Sequence, residues 1–159
     1  MLTVGVLAIA FALLFLLAFA TKRRFGVLGL GLTAGALLSE YWTGGASSLL
    51  QQQGVELTVP PLESVVAIAL TLLPVLILFS SGPSYHQKPQ QLVGSLLFAA
   101  MAFLILFPIL ESIFVIEPNM QSAISAINTY GTSLLALLIV LAIADTALAK
   151  TKRHSKKEH

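Results

Sequence analysis

The segment "TKRRFGVLGLGLTAGALLSEYW", residues 21–42, decides the fold, because its basic cluster and its glycines admit three incompatible interpretations. A cleaved signal peptide carries its basic residues before its apolar run, whereas Lys22, Arg23 and Arg24 follow one here. A dinucleotide fingerprint follows a short strand and has an acidic partner about 20 residues further on, and Glu40 comes too early for that role. The segment is more typical of a basic turn between two membrane helices.

Composition points the same way. The chain has 159 residues, of which 57% are hydrophobic and only 10% charged, whereas soluble domains carry about 25% charged residues. A globule of this composition would lack the polar surface to cover itself in water. Cysteine is absent, which excludes disulfides, thiolate metal sites and cysteine catalysis. The sequence therefore predicts a single integral membrane domain.

Apolar runs about long enough to cross a membrane as helices recur along the chain. A hydrocarbon core about 30 Å thick needs roughly 20 helical residues, and these runs lack the alternation of barrel strands. We therefore expect an all-α bundle of five transmembrane helices, followed by a basic cytoplasmic tail at 150–159. The expected helices cover about residues 2–20, 25–42, 62–81, 92–116 and 123–149.

The positions of the basic residues predict the topology. All nine Lys and Arg lie in three places, namely Lys22–Arg24, Lys88 and the tail from Lys150 to Lys157. Five spans put these places on one side, which the positive-inside rule makes cytoplasmic. The polar start of the last segment leaves four spans as the alternative, but that count would separate the tail from the first cluster. We expect a multi-pass inner-membrane protein with its amino terminus outside and its carboxyl terminus inside.

The basic residues also indicate a partner. Eight of them flank membrane helices and are predicted to be lipid-facing anchors on anionic headgroups; these are Lys22, Arg23, Arg24, Lys150, Lys152, Arg153, Lys156 and Lys157. Nucleic acid is not expected as a partner, because a ten-residue tail without aromatic residues gives only unspecific phosphate contact.

Glycine and proline mark candidate packing and hinge positions. Gly31 and Gly35 form a G-x-x-x-G pair, which allows close approach of a second helix in lipid. Pro74 and Pro108 interrupt the third and fourth apolar runs and are candidate hinges. Proline is also common in membrane helices without such a role.

Three carboxylates fall at membrane depth. Glu40, Glu111 and Asp145 are candidates for lining an ion or proton route, because buried acids are costly in lipid. The alternatives are interfacial positions, bonds between helices and, for Asp145, pairing with nearby Lys150. His86, His154 and His159 have no metal-ligand spacing, and no nucleophile motif occurs. We expect no metal, no cofactor and no enzymatic activity.

The order of these features resembles the colicin V production protein family. The features are a hydrophobic first helix, the basic turn "KRRFG", a proline-opened third helix and the fourth-helix stretch "QQLVGSLLFAA", and the resemblance covers about residues 1–116. It maps the family's basic-glycine turn onto Arg24 and Gly26 and its fourth-helix glycine onto Gly94. These relatives are small bacterial inner-membrane proteins linked to bacteriocin production and envelope resilience.

Two functional hypotheses follow. The first is a non-enzymatic membrane protein, open to homo-oligomerisation, that supports export or envelope integrity through helix packing. The second is a small transporter or channel in which the three acids line a route and the two prolines act as hinges. The hypotheses differ in whether the carboxylates converge on a wet cavity.

Overall fold

Five helices account for most of the chain. The computed structural model describes residues 2–57, 59–80, 83–85, 87–113 and 121–155. The helices are α1 (Leu2–Thr21), α2 (Phe25–Gln52), α3 (Leu62–Ser80), α4 (Lys88–Ile113) and α5 (Gln121–Ser155). The described residues form no strand beyond an isolated bridge between Arg23 and Ser84. The predicted all-α fold is confirmed.

Three helical segments are long and apolar enough to cross a membrane. They are Leu62–Ser80, Lys88–Ile113 and Ile124–Leu148, the last of these lying within α5. Gly5–Thr21 is apolar but shorter. These segments indicate a membrane protein built as a helical bundle.

Helix α2 lies at the centre of the bundle. It contacts α3 most extensively and also packs against α5 and α4, while α1 packs mainly on α4. Neighbouring helices therefore cover much of α2, which explains how a helix containing six glycines and several hydroxyl residues is accommodated. The core is formed by ten buried side chains: Ala18, Phe25, Leu28, Leu32, Val75, Phe98, Met101, Ala102, Leu138 and Ala142.

The observed helix bounds differ from the expected ones at three places. Helix α2 continues to Gln52, ten residues beyond the expected end at residue 42, so the first half of the connection to α3 is helical. Hydroxyl groups there are satisfied within the helix, since Ser48 donates to the carbonyl of Gly44 at 2.7 Å. Helix α4 begins earlier, at Lys88, because Pro89 is tolerated in a first turn. Helix α5 extends to Ser155, so the start of the basic tail is helical.

Prolines lie both before the start of α3 and inside α3 and α4. Pro61 precedes α3, and its carbonyl accepts a hydrogen bond from the N–H of Ser64 at 3.0 Å. Pro74 and Pro108 lie inside continuous helices, where each removes one backbone donor. Their role as hinges stays a prediction.

Candidate functional site

The basic turn between α1 and α2 is held by the connection between α3 and α4. The N–H of Tyr85 donates to the carbonyl of Lys22 at 2.8 Å, and the N–H of Arg24 donates to the carbonyl of Pro83 at 3.2 Å. Lys22 adopts a φ of 54°, in the left-handed region that non-glycine residues seldom visit. These two bonds offset that cost and align the two connections side by side.

Arg24 and Asp145 form an ion pair between the start of α2 and the last part of α5. One terminal nitrogen of the guanidinium lies 2.6 Å from Asp145 Oδ1, and the two side chains are 19% and 20% exposed. The other carboxylate oxygen accepts the N–H of Gly26 at 2.9 Å. Asp145 thus caps the positive end of α2 from a different helix, which satisfies a donor that α2 cannot satisfy itself.

Tyr85 completes this arrangement. Its hydroxyl accepts the N–H of Phe25 at 3.1 Å and lies 3.5 Å from Asp145 Oδ2. The Arg24 guanidinium carbon lies 5.5 Å from the centre of the Tyr85 ring, within cation–π range. Burial raises the pKa of the Tyr85 phenol above its ordinary value of 10.0, and the neighbouring Asp145 charge adds to the rise. We refer to Arg24, Tyr85, Asp145 and the first turn of α2 as the Arg24 cluster.

Small residues let the helices of the Arg24 cluster approach one another. A Cβ atom on Gly26 would collide with the carbonyl of Ala142 and with the side chain of Thr146, both on α5. A Cβ on Gly94 would lie 2.5 Å from the Tyr85 ring. Glycine at these two positions therefore allows α5 and Tyr85 to reach the start of α2.

Arg23 serves a separate helix end. Its Nε and one terminal nitrogen donate to the carbonyls of Phe79 and Ser80, each at 3.0 Å. These carbonyls end α3, where a cation is favoured by the negative end of the helix dipole. Arg23 therefore binds the negative end of α3, whereas Arg24 binds the carboxylate that caps the positive end of α2.

The predicted packing glycines of α2 face α3. A Cβ on Gly35 would overlap the backbone carbonyl of Thr71, and a Cβ on Gly31 would lie 2.5 Å from the Leu78 side chain. Both glycines are buried. The structure thus places the G-x-x-x-G pair at the most extensive helix contact of the bundle.

The three predicted acids occupy separate surroundings. Glu40 is exposed on α2, and Glu111 is partly exposed. Glu111 lines an open depression of about 480 Å³ together with Gln121, Ile124, Ser125, Asn128 and Thr129. Asp145 lies 20 residues beyond Ser125 on the same helix, roughly 30 Å away. The acids are not brought together around one cavity in the described part of the chain.

The predicted basic anchors divide into two groups. Lys22 is exposed, as a lipid anchor would be, but Arg24 faces inward to Asp145 and Arg23 binds the end of α3. The lipid-facing interpretation of Arg24 is therefore wrong, because a partly buried carboxylate neutralises it. The expected pairing of Asp145 with Lys150 stays a prediction, because the Lys150 side chain lies outside the described part of the chain. Only the backbone is described for Lys150, Lys152 and Arg153, and Lys156 and Lys157 lie outside the described residues.

The described residues do not gather the side chains that would hold a metal ion. They contain no group of three or more His, Asp or Glu side chains placed to hold a metal ion. His86 and His159 lie outside the described residues, and only the backbone is described for His154. The Arg24 cluster pairs its charges with each other and with helix ends, an arrangement suited to fixing helices.

Sequence reasoning missed Tyr85 and the partner of Asp145. Asp145 is 121 residues from Arg24, and Tyr85 is 60 residues from Phe25. One signal of their proximity was present in the sequence, since Arg24, Tyr85 and Asp145 all fall on or near the predicted cytoplasmic side of the membrane.

Comparison of the chain with protein-family models, with curated proteins and with solved structures gives no match.

Proposed function

We propose that this is a non-enzymatic, multi-pass inner-membrane protein that supports export or envelope integrity, as its resemblance to the colicin V production proteins implies. The observation that carries the proposal is the Arg24 cluster. Its one carboxylate, one guanidinium and one phenol bind each other and the start of α2. Charged groups committed in this way hold helices together and are not free for transport or catalysis.

We further propose five spans with the amino terminus outside. The α1–α2 turn is hydrogen-bonded to the α3–α4 connection, and Asp145, near the end of α5, is bonded to Arg24. Two connections and one helix end that touch must lie on the same side of a membrane. That side carries the basic residues, which supports a cytoplasmic position.

The transporter hypothesis receives less support. It needs carboxylates that converge on a continuous wet path. Glu40 is exposed and does not line the Glu111 depression, and Asp145 is bound to Arg24 at the far end of α5. A route through these groups would have to break the ion pair.

Complementation of a deletion strain tests the proposal directly. The deletion is expected to sensitise cells to detergents and to reduce peptide export, and the wild-type gene is expected to restore both. Asp145→Asn, which removes the charge that holds Arg24, should fail to restore them, while Glu40→Gln, the same change at an exposed acid, should succeed. A deletion with an intact envelope and normal export would refute the proposed function.

Reconstitution in liposomes tests the alternative. Vesicles containing the purified protein should release protons, K⁺ or Na⁺ no faster than empty vesicles do. A flux that Glu111→Gln or Asp145→Asn abolishes would instead establish the transporter hypothesis.

Topology is tested with single cysteines, which this cysteine-free chain allows. Ser48→Cys is exposed near the end of α2 and should react with an impermeant maleimide added outside intact cells. Ser47→Cys is its matched control, since Ser47 is only 2% exposed and should react slowly. A reporter fused after His159 should be active only in the cytoplasm. Labelling of Ser48→Cys only after permeabilisation would overturn the five-span topology.

A further inference from the structure

Helix α5 is the least covered of the three long apolar segments. Only 11% of its membrane-length window is buried, against 33% for α3 and 44% for α4. Leu138 and Ala142 face the bundle and are buried. The exposed side chains of this helix are available to lipid or to another protein.

The outer half of α5 carries a row of exposed polar side chains. The row consists of Ser125, Asn128, Thr129, Thr132 and Ser133, which we call the polar stripe, and all five are exposed. The spacing i, i+3, i+4, i+7, i+8 places them on one face of the helix. Thr129 donates to the carbonyl of Ser125 at 2.8 Å, but Asn128, Thr132 and Ser133 make no side-chain hydrogen bond to any described residue.

The stripe lies at membrane depth. Asp145 is bound to the basic turn, which marks the cytoplasmic boundary. At 1.5 Å per residue, Thr132 is roughly 20 Å and Asn128 roughly 26 Å from that point along α5. A hydrocarbon core about 30 Å thick includes both positions. Lipid tails offer an amide or hydroxyl group no hydrogen-bond partner, so these side chains favour contact with another polar surface.

We propose that the polar stripe is the interface through which α5 of one copy packs in parallel against α5 of a second copy of this chain. Every member of the stripe is both a donor and an acceptor, so the surface is complementary to itself across a two-fold axis. None of its members is charged, and four of the five are small enough to let helix backbones approach closely. Glu111 borders the stripe through the depression that both line, and its carboxylate can accept further bonds from the second copy.

Repulsion between the two basic tails does not prevent this arrangement. Lys150 is 18 residues beyond Thr132, so the tails begin roughly 27 Å from the contact. Helices that pack through small residues commonly cross at about 40°. The two tails then diverge by roughly 20 Å in addition to the helix separation, well beyond the Debye length of about 8 Å.

Disulfide cross-linking in native membranes tests the proposal, because every cysteine is one that is introduced. Thr132→Cys lies in the stripe, and Leu134→Cys is the matched control, 46% exposed and roughly 160° around the helix from Thr132. Oxidation should link Thr132→Cys into a dimer and leave Leu134→Cys monomeric. Adding Asn128→Leu to Thr132→Cys should lower the dimer yield about tenfold, because interhelical polar bonds stabilise association in lipid.

The remaining outcomes overturn the proposal. Equal cross-linking at both positions would indicate random collision, and cross-linking at Leu134→Cys alone would place a copy on the opposite face. Absence of dimer at Thr132→Cys would show that the stripe does not meet itself, and a product of another mass would assign it to a different membrane protein. None of these results bears on the complementation experiment, which tests the proposed function separately.

Discussion

Neutralising one member of the Arg24–Asp145 pair should destabilise the protein strongly. In Asp145→Asn the side-chain oxygen can still accept the N–H of Gly26, while the charge is lost and the oxygen that accepts from Arg24 becomes an amide nitrogen. Arg24 then remains four-fifths buried without its carboxylate. Removing one partner of a buried pair costs 3–5 kcal/mol, and partial exposure places this case near the lower limit, at about 3 kcal/mol.

A double-mutant cycle isolates the pair itself. Arg24→Gln should also cost about 3 kcal/mol, because it leaves Asp145 unpaired. Arg24→Gln combined with Asp145→Asn should cost no more than either single change, which gives a coupling energy of about 3 kcal/mol. Lys22→Gln is the matched control, since Lys22 is an exposed cation in the same turn and its loss should change stability by less than about 0.5 kcal/mol.

The assay is unfolding in mixed micelles with increasing SDS, followed by far-ultraviolet circular dichroism and by the fluorescence of the only tryptophan, Trp42. Both probes should report one transition in every variant. Additive losses, with the double variant near 6 kcal/mol, would show that the two charges do not act on each other. The Arg24 cluster would then have no stabilising role.

Three further predictions follow from separate contacts. Gly35→Leu should lower the free energy of unfolding by about 3 kcal/mol in the same assay, because the new side chain meets the backbone of Thr71. Gly45→Leu is the control and should not lower it, because the space around Gly45 is open, and equal effects of the two changes would contradict the packing role of the glycines. The raised pKa of Tyr85 means that the folded state holds the phenolic proton more tightly than the unfolded state, so the free energy of unfolding should be constant below pH 10 and fall above it. Tyr85→Phe should abolish this fall, and an unchanged pH profile in that variant would show that another group causes it. Replacing the five basic tail residues with glutamine should leave α1–α4 in place and give mixed orientations of α5. The orientation is measured by protease access to an epitope after His159 in inverted and right-side-out vesicles, and a uniformly cytoplasmic epitope would show that the tail does not set topology.

Local sequence patterns predict the helices well but misplace their ends. Apolar length alone locates α3 and α4, since lipid-like stretches of that length have few other stable conformations. The end of α2 was missed because Gly44 and Gly45, followed by serines, are typical of a loop. In the folded chain Ser47 is buried and Ser48 bonds the carbonyl of Gly44, so tertiary packing overrides the local preference.

The candidate site was only partly accessible to sequence reasoning. Asp145 was selected because a carboxylate at membrane depth is costly, and that physical reason holds. Its partner could not be selected, since any basic residue on the same side was a candidate and the nearest along the chain was Lys150. Tyr85 carries no pattern of its own, because its role depends on the space that Gly94 leaves for its ring.

The ion pair and the polar stripe are related by the geometry of α5. Asp145 lies 20 residues after Ser125, which is about five and a half helical turns, so the two side chains point to opposite faces. Binding of Asp145 to Arg24 therefore fixes the rotation of α5 about its own axis and with it the direction in which the stripe faces. Isolated apolar helices slide and rotate against one another at little cost, whereas a buried charge pair penalises every other rotation. On this argument the charge pair near the carboxyl-terminal end of α5 determines which face the amino-terminal half of the helix presents to the proposed second copy.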